Sequence, residues 1–266
     1  MVRKRIRLAQ NFIWNPGLAA SLVAGSGLSP QDTVYEIGPG RGIITRELAG
    51  SAKRVIAIEK DPALAARLRA RFRRAGNVQI RVGDFLRLAI PEQRYRVVAN
   101  IPFNITSGVV KRLLFGANPP SEAHLIVQKE AAARFCGIPV EAEVSVLAKP
   151  WFRIEKVREF RRSDFWPAPQ VDVVLLHIVG REPSLVAQAD ATAYRRFVRL
   201  GFEAWRPDLK TAYKRVFTYA QWKRLSDDLG FAVRARPTEL SFRQWLGLFD
   251  YFRTGVSEEK RATLLR

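Results

Sequence analysis

The chain has 266 residues, enough for one large domain and a smaller one, and its 47% hydrophobic and 26% charged residues are ordinary for a soluble globular protein. Its 45 Lys and Arg against 25 Asp and Glu give a formal charge of +20, which indicates a polyanionic partner such as nucleic acid. One cysteine, Cys136, excludes an internal disulfide and a thiolate cluster, and with His124 and His177 as the only histidines we expect no metal site.

No apolar run reaches the roughly 18 residues of a membrane span, and no apolar signal segment follows the N-terminus. We therefore expect a cytoplasmic protein with no membrane association, and a monomer. Residues 1–10 predict a basic arm that contacts RNA, because they contain no acid and carry Arg3, Lys4, Arg5 and Arg7. A short helix is expected over 16–24, with Asn15 as its N-cap and Pro16 at its first position.

The stretch from Val34 to Gly42, VYEIGPGRG, predicts a buried strand, a tight glycine turn and a helix that begins at Ile43. Glycines in such a turn let the backbone approach a ligand, which points to a nucleotide-like cofactor. A dinucleotide site would show GxGxxG, whereas this turn is GxGxG and follows directly on Glu36. A carboxylate there repels a phosphate and suits a cationic ligand.

The next apolar run, residues 54–58, ends at Glu59, where a carboxylate can accept hydrogen bonds from both hydroxyls of a ribose. A ribose together with a positive charge and no phosphate points to S-adenosylmethionine as the cofactor. The alternative interpretation of the glycine stretch alone is a plain tight turn.

A helix is expected from Asp61 to about Arg74, rich in arginine and poor in acid. These arginines either face RNA phosphates or simply cover a solvated helix, and both interpretations stay open. A third strand, 78–82, ends at Gly83-Asp84-Phe85, where an acid beside an aromatic ring can hold an adenine, although a helix cap is the alternative. Strand, turn and helix alternate three times, which predicts a parallel, doubly wound α/β sheet.

A second chemical centre is predicted where the buried strand 97–99 runs into Asn100-Ile101-Pro102-Phe103. Because Pro102 favours an extended Ile101, the Ile101 carbonyl is left free beside the Asn100 side chain. Two acceptor oxygens suit a planar amino group such as adenine N6, and Phe103 can stack on its ring. Hydrogen bonds to both protons would favour a pyramidal nitrogen and direct its lone pair at a methyl donor. A plain strand-ending turn is the alternative.

Further strands are expected over 123–127, 144–157 and 171–179, which complete a sheet of about seven strands. Residues 180–190 predict a linker, and aromatic residues at helical spacing beyond it predict a small all-α domain over 181–266. We expect residues 1–180 to form the S-adenosylmethionine-binding catalytic domain and residues 181–266 to form an RNA-binding domain.

Taken in order, these motifs resemble those of the rRNA adenine N6-methyltransferases, a superfamily of small-subunit rRNA dimethyltransferases and erythromycin-resistance (Erm-type) methylases. The resemblance covers about residues 8–180. It rests on Gln10-Asn11-Phe12, the stretch 36–42, Glu59, Gly83-Asp84-Phe85, Asn100-Ile101-Pro102-Phe103, Gln128-Lys129-Glu130 and the stretch 165–171. It implies a Rossmann-like, seven-stranded methyltransferase sheet and an enzyme that methylates rRNA.

The resemblance also implies roles for individual residues. The expected cofactor site comprises Gln10, Asn11, Phe12, Glu36, Gly38, Gly40, Glu59, Lys60, Asp84, Phe85 and Asn100. Expected to act on the target base are Asn100, Ile101, Pro102 and Phe103, with Phe165 flanking the flipped base. The alternative for Phe165 is an ordinary core aromatic before a proline-rich turn. From the basic charge alone, and not from the resemblance, the expected RNA contacts are Arg3, Lys4, Arg5, Arg7, Arg71, Arg73, Arg74, Arg161 and Arg162.

The motif Asn-Ile-Pro-Phe is similar to that of the resistance branch, whereas the housekeeping branch more often has Asn-Leu-Pro-Tyr. We therefore expect methylation of adenine N6 in 23S rRNA and macrolide-type resistance. The alternatives are a small-subunit (16S) rRNA dimethyltransferase, a nucleic-acid-binding relative without catalysis and, more remotely, a DNA adenine methyltransferase.

Overall fold

The computed structural model describes residues 11–89, 91–203 and 207–265. The sequence-based expectations for the basic arm, for Arg3, Lys4, Arg5 and Arg7, and for Gln10 lie outside the described residues. The strands are β1 (Phe12–Ile13), β2 (Thr33–Ile37), β3 (Arg54–Glu59), β4 (Val78–Val82), β5 (Arg96–Asn100), β6 (Glu122–Gln128), β7 (Phe152–Phe160), β8 (Phe165–Trp166) and β9 (Val173–Gly180).

The helices of the first half are α1 (Pro16–Gly25), α2 (Ile43–Ser51), α3 (Pro62–Arg71), α4 (Thr106–Phe115), α5 (Lys129–Cys136) and α6 (Glu143–Ala148). Those of the second half are α7 (Ala191–Gly201), α8 (Leu209–Ala212), α9 (Tyr219–Leu229), α10 (Phe242–Gly255) and α11 (Glu258–Leu265). Two of these helices begin as the sequence predicts, because Asn15 and Asp61 accept hydrogen bonds from the first free N–H groups and a proline follows each.

Seven strands form the main sheet, in the order β4-β3-β2-β5-β6-β9-β7. The strand pairs from β4 to β6 are parallel, and β9 pairs antiparallel with β6. The predicted α/β class and seven-stranded sheet are therefore confirmed. The chain first builds outward from β2 through β3 to β4 and then returns to place β5 on the other side of β2. This reversal leaves a crevice at the carboxyl ends of β2 and β5, where sheets of this type bind their ligands.

The central strands are buried because their residues are apolar on both faces. Val34, Val55 and Val97 have no exposed surface, and each lies under helices that cover the sheet. Helix α3 ends at Arg71, three residues before the expected end. A small second sheet pairs β1 with β8 in antiparallel register, with Phe12 opposite Trp166 and Ile13 opposite Phe165.

The strand expected over 144–157 is wrong in its first half. Residues 143–148 form α6, and the strand begins only at Phe152. All five residues from Val144 to Ala148 are buried, so the segment has no polar face that would distinguish a helix from a strand by its period. The Ser145 hydroxyl also donates a hydrogen bond to the buried carboxylate of Glu141 one turn earlier, which favours the helix.

The chain divides into two compact units, residues 1–132 with 153–180, and residues 133–152 with 181–266. The division at 180 coincides with the expected domain boundary, whereas 133–152 group with the helical unit instead of the sheet. The helical unit is built around buried aromatic side chains, among them Tyr194, Phe197, Tyr213, Trp222 and Trp245. Within the described ranges, no helix has the length and apolar character needed to cross a membrane.

Candidate active site

The two predicted chemical centres meet at the crevice between β2 and β5. Glu36 is the penultimate residue of β2 and Asn100 ends β5, and the two strands are direct neighbours in the sheet. Gly38 has a positive φ of 70°, and a Cβ placed on it would lie 3.4 Å from the ring of Pro102. The glycine turn and the Asn-Ile-Pro-Phe turn are therefore packed against each other.

Glu36 is a buried carboxyl group with an exposed fraction of 1%. The Thr45 hydroxyl, from the first turn of α2, donates a 2.6 Å hydrogen bond to its Oε2. Burial raises the pKa of Glu36 to about 8, and the nearby charge of Glu59 contributes to the increase. No Lys, Arg or His side chain in the described ranges pairs with it. A buried acid without a cationic partner fits a ligand that brings its own positive charge.

Glu59, at the end of β3, is also buried, and it organises the loops around it. Its Oε2 accepts a 3.2 Å hydrogen bond from the Gly40 N–H, and its Oε1 accepts a 3.0 Å bond from the Asp61 N–H. Each carboxylate oxygen retains a second lone pair, so the group can still accept hydrogen bonds from the two hydroxyls of a ribose.

Asp84 follows β4 at the same edge of the sheet. Its Oδ2 accepts a 2.9 Å hydrogen bond from the ammonium group of Lys60, and its Oδ1 accepts one from the Leu86 N–H at 3.0 Å. The hydrogen bond from Lys60 holds the pKa of Asp84 below its usual value, so the side chain is a carboxylate. Phe85 is 7% exposed, and it contributes an apolar wall more than an open ring face.

Residues 11–13, which we call the N-terminal strap, connect the two halves of the site. The ring of Phe12 packs on Gly40, whose φ is 55°, so closely that a Cβ at that position would overlap it. On the other side, the Asn100 amide nitrogen donates a 2.6 Å hydrogen bond to the Asn11 carbonyl. The strap therefore contacts both the glycine turn and the Asn100 side chain.

The bond to Asn11 fixes the orientation of the Asn100 amide. A backbone carbonyl only accepts hydrogen bonds, so Nδ2 must face Asn11 and Oδ1 must face away from it. The Ile101 carbonyl has no donor among the described residues. Asn100 and Ile101 thus offer two acceptor oxygens, as the sequence predicted, in a small pocket lined also by Phe12, Pro102 and Phe103.

Phe165, which is expected to flank the target base, is buried, and its role at the base stays a prediction. Its side chain is 2% exposed and lies in the hydrophobic core with Ile13, against the ring of Phe160 at a centroid distance of 5.8 Å. This burial follows from the β1–β8 pairing, which turns Ile13 and Phe165 to the core and leaves Trp166 outside.

The described arginines expected to contact RNA are Arg71, Arg73, Arg74, Arg161 and Arg162, and all five are exposed. The Arg71 guanidinium donates a 2.6 Å hydrogen bond to the carbonyl of Arg41, and Arg162 forms a 3.0 Å ion pair with Asp172. The guanidinium groups of Arg73 and Arg74 have no acidic partner in the described ranges, so their charge is available to a phosphate.

Sequence reasoning did not single out Thr45 or Arg41 as site residues. Thr45 lies one turn into the helix that follows the glycine motif, which is where a side chain can reach back to the end of β2. Arg41 stands inside the motif, between two glycines, and its guanidinium lies 5.6 Å from the ring centre of Phe12 and 5.2 Å from that of Trp166. Its contacts join segments more than a hundred residues apart, which spacing alone does not reveal.

Away from this edge, Glu122, His124 and His177 bring one carboxylate oxygen and two ring nitrogens within 4.8 Å of one another. His177 contacts the Glu122 carboxylate at 2.7 Å, and the two imidazoles stack at 4.4 Å with an 18° angle between their planes. Nearly parallel rings direct their nitrogen lone pairs side by side and not toward a common ion. Arg96 also forms an ion pair with Glu122, and the expectation of no metal site stays a prediction.

The sheet order and the glycine turn at its reversal point define a Rossmann-like methyltransferase fold. The solved 23S rRNA methyltransferase ErmE has the same fold, with a TM-score of 0.84 and 29% identity over 92% of this chain and all of that one. A dimethyladenosine transferase from Plasmodium falciparum also shares the fold, with a TM-score of 0.73 and 23% identity over 92% of this chain and 98% of that one.

Residues 1–254 match the model of the ribosomal RNA adenine dimethylase family, and the chain belongs to that family. It is an rRNA (adenine-N6)-methyltransferase. Its relatives include a ribosomal RNA small subunit methyltransferase A from Acaryochloris marina, 30% identical over 94% of this chain and 97% of the relative. They also include an rRNA adenine N-6-methyltransferase from Bacteroides fragilis, 32% identical over 94% of this chain and 95% of the relative.

Proposed function

We propose that this protein methylates an adenine N6 in 23S rRNA with S-adenosylmethionine, and so lowers the affinity of macrolide-type drugs for the ribosome. The choice of 23S rRNA is carried by the similarity to ErmE along nearly the whole chain, and it is supported by the Asn-Ile-Pro-Phe turn. RNA binding by residues 181–266 and by the exposed arginines belongs to the same proposal.

The residues at the crevice fit S-adenosylmethionine. Glu36 is a buried acid without a cationic partner, Glu59 has lone pairs left for ribose hydroxyls, and Asp84 is a carboxylate at the next strand end. Gly38 and Gly40 keep the backbone free of Cβ atoms where Pro102 and Phe12 approach. When bound, the cofactor supplies a methyl group on a positively charged sulfur.

The chain's own contribution to the transfer comes from the acceptor pair. The Asn100 Oδ1 and the Ile101 carbonyl accept hydrogen bonds from the two protons of the target amine. Such bonds withdraw the nitrogen lone pair from the adenine ring and direct it at the methyl group. No general base is needed, because the amine becomes strongly acidic once it carries the methyl group. Phe103 offers a ring to the extruded base.

A small-subunit target is the second candidate. It is favoured by relatives such as the small subunit methyltransferases A of Acaryochloris marina and Methylococcus capsulatus, the latter 33% identical over 92% of this chain and 96% of the relative. These identities are close to those of the relatives without a stated subunit, so identity alone does not separate the two targets.

The experiment that distinguishes the candidates is transfer of radiolabelled methyl from S-adenosylmethionine to protein-free 23S rRNA, 16S rRNA and assembled small subunits, followed by mapping of the modified base. We expect label on an adenine of naked 23S rRNA. Label restricted to the small-subunit substrates would contradict the proposal and assign the protein to the second candidate.

A further inference from the structure

Two tryptophans beside the N-terminal strap expose most of their surface to solvent. Trp14 is 58% exposed and Trp166 is 59% exposed, whereas Trp222 and Trp245 are almost completely buried. Large rings at this exposure are a feature of binding surfaces, because the apolar area gains free energy only when a partner covers it. Trp166 is in β8 and Trp14 directly follows β1, whose residue Phe12 pairs with Trp166 and lines the pocket of Asn100.

The orientation of Trp14 is fixed although its ring is exposed. Its indole N–H donates a 2.8 Å hydrogen bond to the backbone carbonyl of Ser163, on the segment that leads into β8. The ring is therefore held in one orientation before any partner binds, which reduces the entropy that a stacking partner must offset.

A positive charge lies beside the ring of Trp166. It lies opposite Phe12 in the β1–β8 pair, and the Arg41 guanidinium lies within 6 Å of both ring centres. No carboxylate in the described ranges pairs with Arg41, so its charge is not neutralised within the protein. Exposed rings interleaved with an unpaired arginine are the features with which proteins bind single-stranded nucleic acid.

We propose that Trp14 and Trp166 form a second nucleotide-binding site, in which the two rings stack on the bases beside the target adenine and Arg41 holds a phosphate next to Trp166. Extruding one base from a strand leaves its neighbours without a stacking partner on that side. Rings presented beside the catalytic pocket would replace the lost stacking. The proposal rests on RNA being the substrate, and it does not depend on which rRNA carries the target.

The test measures RNA binding directly. A short, end-labelled single-stranded RNA with one central adenine is compared with the same strand carrying abasic residues on both sides of that adenine. Fluorescence anisotropy gives the affinity of wild type for each strand. We expect the intact strand to bind about tenfold more tightly, since a stacked base contributes that order of affinity.

Variants then assign the preference to the two rings. Trp14→Ala and Trp166→Ala should each reduce the preference for the intact strand, and the double variant should bind both strands equally. Trp14→Phe and Trp166→Phe keep a stacking face and should retain most of the preference. Both rings are exposed, so truncating them leaves no cavity in the core.

Three results would overturn the proposal: no preference in wild type, a preference that survives in the double alanine variant, or an equal loss of S-adenosylmethionine affinity in that variant. The last result would mean that the rings act only by holding the N-terminal strap. Because binding is measured without methyl transfer, failure of the 23S rRNA assay and failure of this proposal are distinguishable.

Discussion

Asn100 uses both ends of its side-chain amide. The nitrogen is committed to the Asn11 carbonyl, which leaves the oxygen as an acceptor beside the Ile101 carbonyl. A residue that only accepts, such as aspartate, would repel the Asn11 carbonyl, and a residue that only donates would lose the acceptor. The sequence predicted the acceptor pair, but it did not predict its support, because Asn11 lies 89 positions away and only the folded chain brings the two together.

We expect Asn100→Ala to reduce the rate of methyl transfer by about 100-fold or more, the usual effect of removing one preorganised hydrogen-bonding group. The affinity for S-adenosylmethionine, measured by calorimetry, should change little in comparison. Asn104→Ala is the matched control, because Asn104 lies in the same turn and is exposed. Transfer by Asn100→Ala within a few-fold of wild type would show that the acceptor pair is not used.

Glu36 predicts a pH dependence of cofactor binding. With a pKa of about 8, the carboxyl group is protonated at pH 6 in the free protein, and a cationic ligand favours its ionised form. Binding must then release a proton, so the affinity for S-adenosylmethionine should rise as the pH increases from 6 and level off above 8. The slope can approach tenfold per pH unit.

The control for this pH dependence is Glu36→Gln, which keeps the shape of the side chain and removes its ionisation. The amino group of the cofactor titrates in both proteins, so the difference between the two calorimetric pH profiles isolates Glu36. Parallel profiles for wild type and Glu36→Gln would refute the assignment of this carboxyl group to the cofactor site.

At the level of elements, the glycine turn after β2 is shaped by two neighbours. Gly38 packs against Pro102 and Gly40 accommodates the ring of Phe12, and both have positive φ values. The glycine turn, which is expected to bind the cofactor, therefore contacts both the strap and the Asn-Ile-Pro-Phe turn. Its glycines could be recognised from the sequence, whereas the ring that fills the space above Gly40 could not.

We expect Gly40→Ala to displace Phe12, because the new Cβ would overlap the ring and the φ of 55° disfavours any side chain. The affinity for S-adenosylmethionine and the rate of methyl transfer should both fall at least about tenfold, because backbone strain of this kind costs about 1–3 kcal/mol. Gly50→Ala is the control, since a Cβ there meets nothing within 4 Å and the residue lies in α2.

That control should unfold at a slightly higher temperature than wild type, because alanine favours a helix by roughly 0.5–1 kcal/mol over glycine. Thermal unfolding and cofactor calorimetry on both variants check the prediction. Normal cofactor affinity in Gly40→Ala would mean that the strap does not contribute to the cofactor site.

The strands of the parallel half could be predicted from short apolar runs that end in turn residues, and their parallel direction follows from the alternation of strand and helix. Helix α6 could not, because a fully buried run such as Val144–Ala148 has neither helical nor strand periodicity. For Phe165 the sequence left a core position and a position at the target base open, since the choice depends on which face of the two-residue β8 pairs with the strap.

At the level of the whole molecule, the formal charge of +20 predicts RNA binding that is sensitive to salt. We expect the affinity for an rRNA fragment to fall at least about tenfold between 50 and 200 mM salt, as released counterions predict. The affinity for S-adenosylmethionine should change far less over the same range. Filter binding and calorimetry measure the two quantities, and equal salt dependence would contradict an RNA partner held by phosphate contacts.

The double variant Arg73→Gln with Arg74→Gln tests whether these two arginines contribute to the salt dependence of RNA binding. Neither arginine has an acidic partner in the described ranges, so losing both should reduce the slope of log affinity against log salt by about two. Arg46→Gln is the matched control, because the Arg46 guanidinium already pairs with Glu47 at 2.7 Å. Its slope should equal that of wild type.

The three-residue strap has a consequence for inhibitor design. Phe12 lies on the turn expected to bind the cofactor, and Asn11 orients the amide expected to hold the target base, so one short segment serves two binding sites. A small molecule that lifted the strap from Gly40 would disable both sites at once without resembling either substrate. Because its binding would exclude both substrates, such an inhibitor would compete with S-adenosylmethionine and also with RNA, whereas a cofactor analogue would compete with S-adenosylmethionine alone.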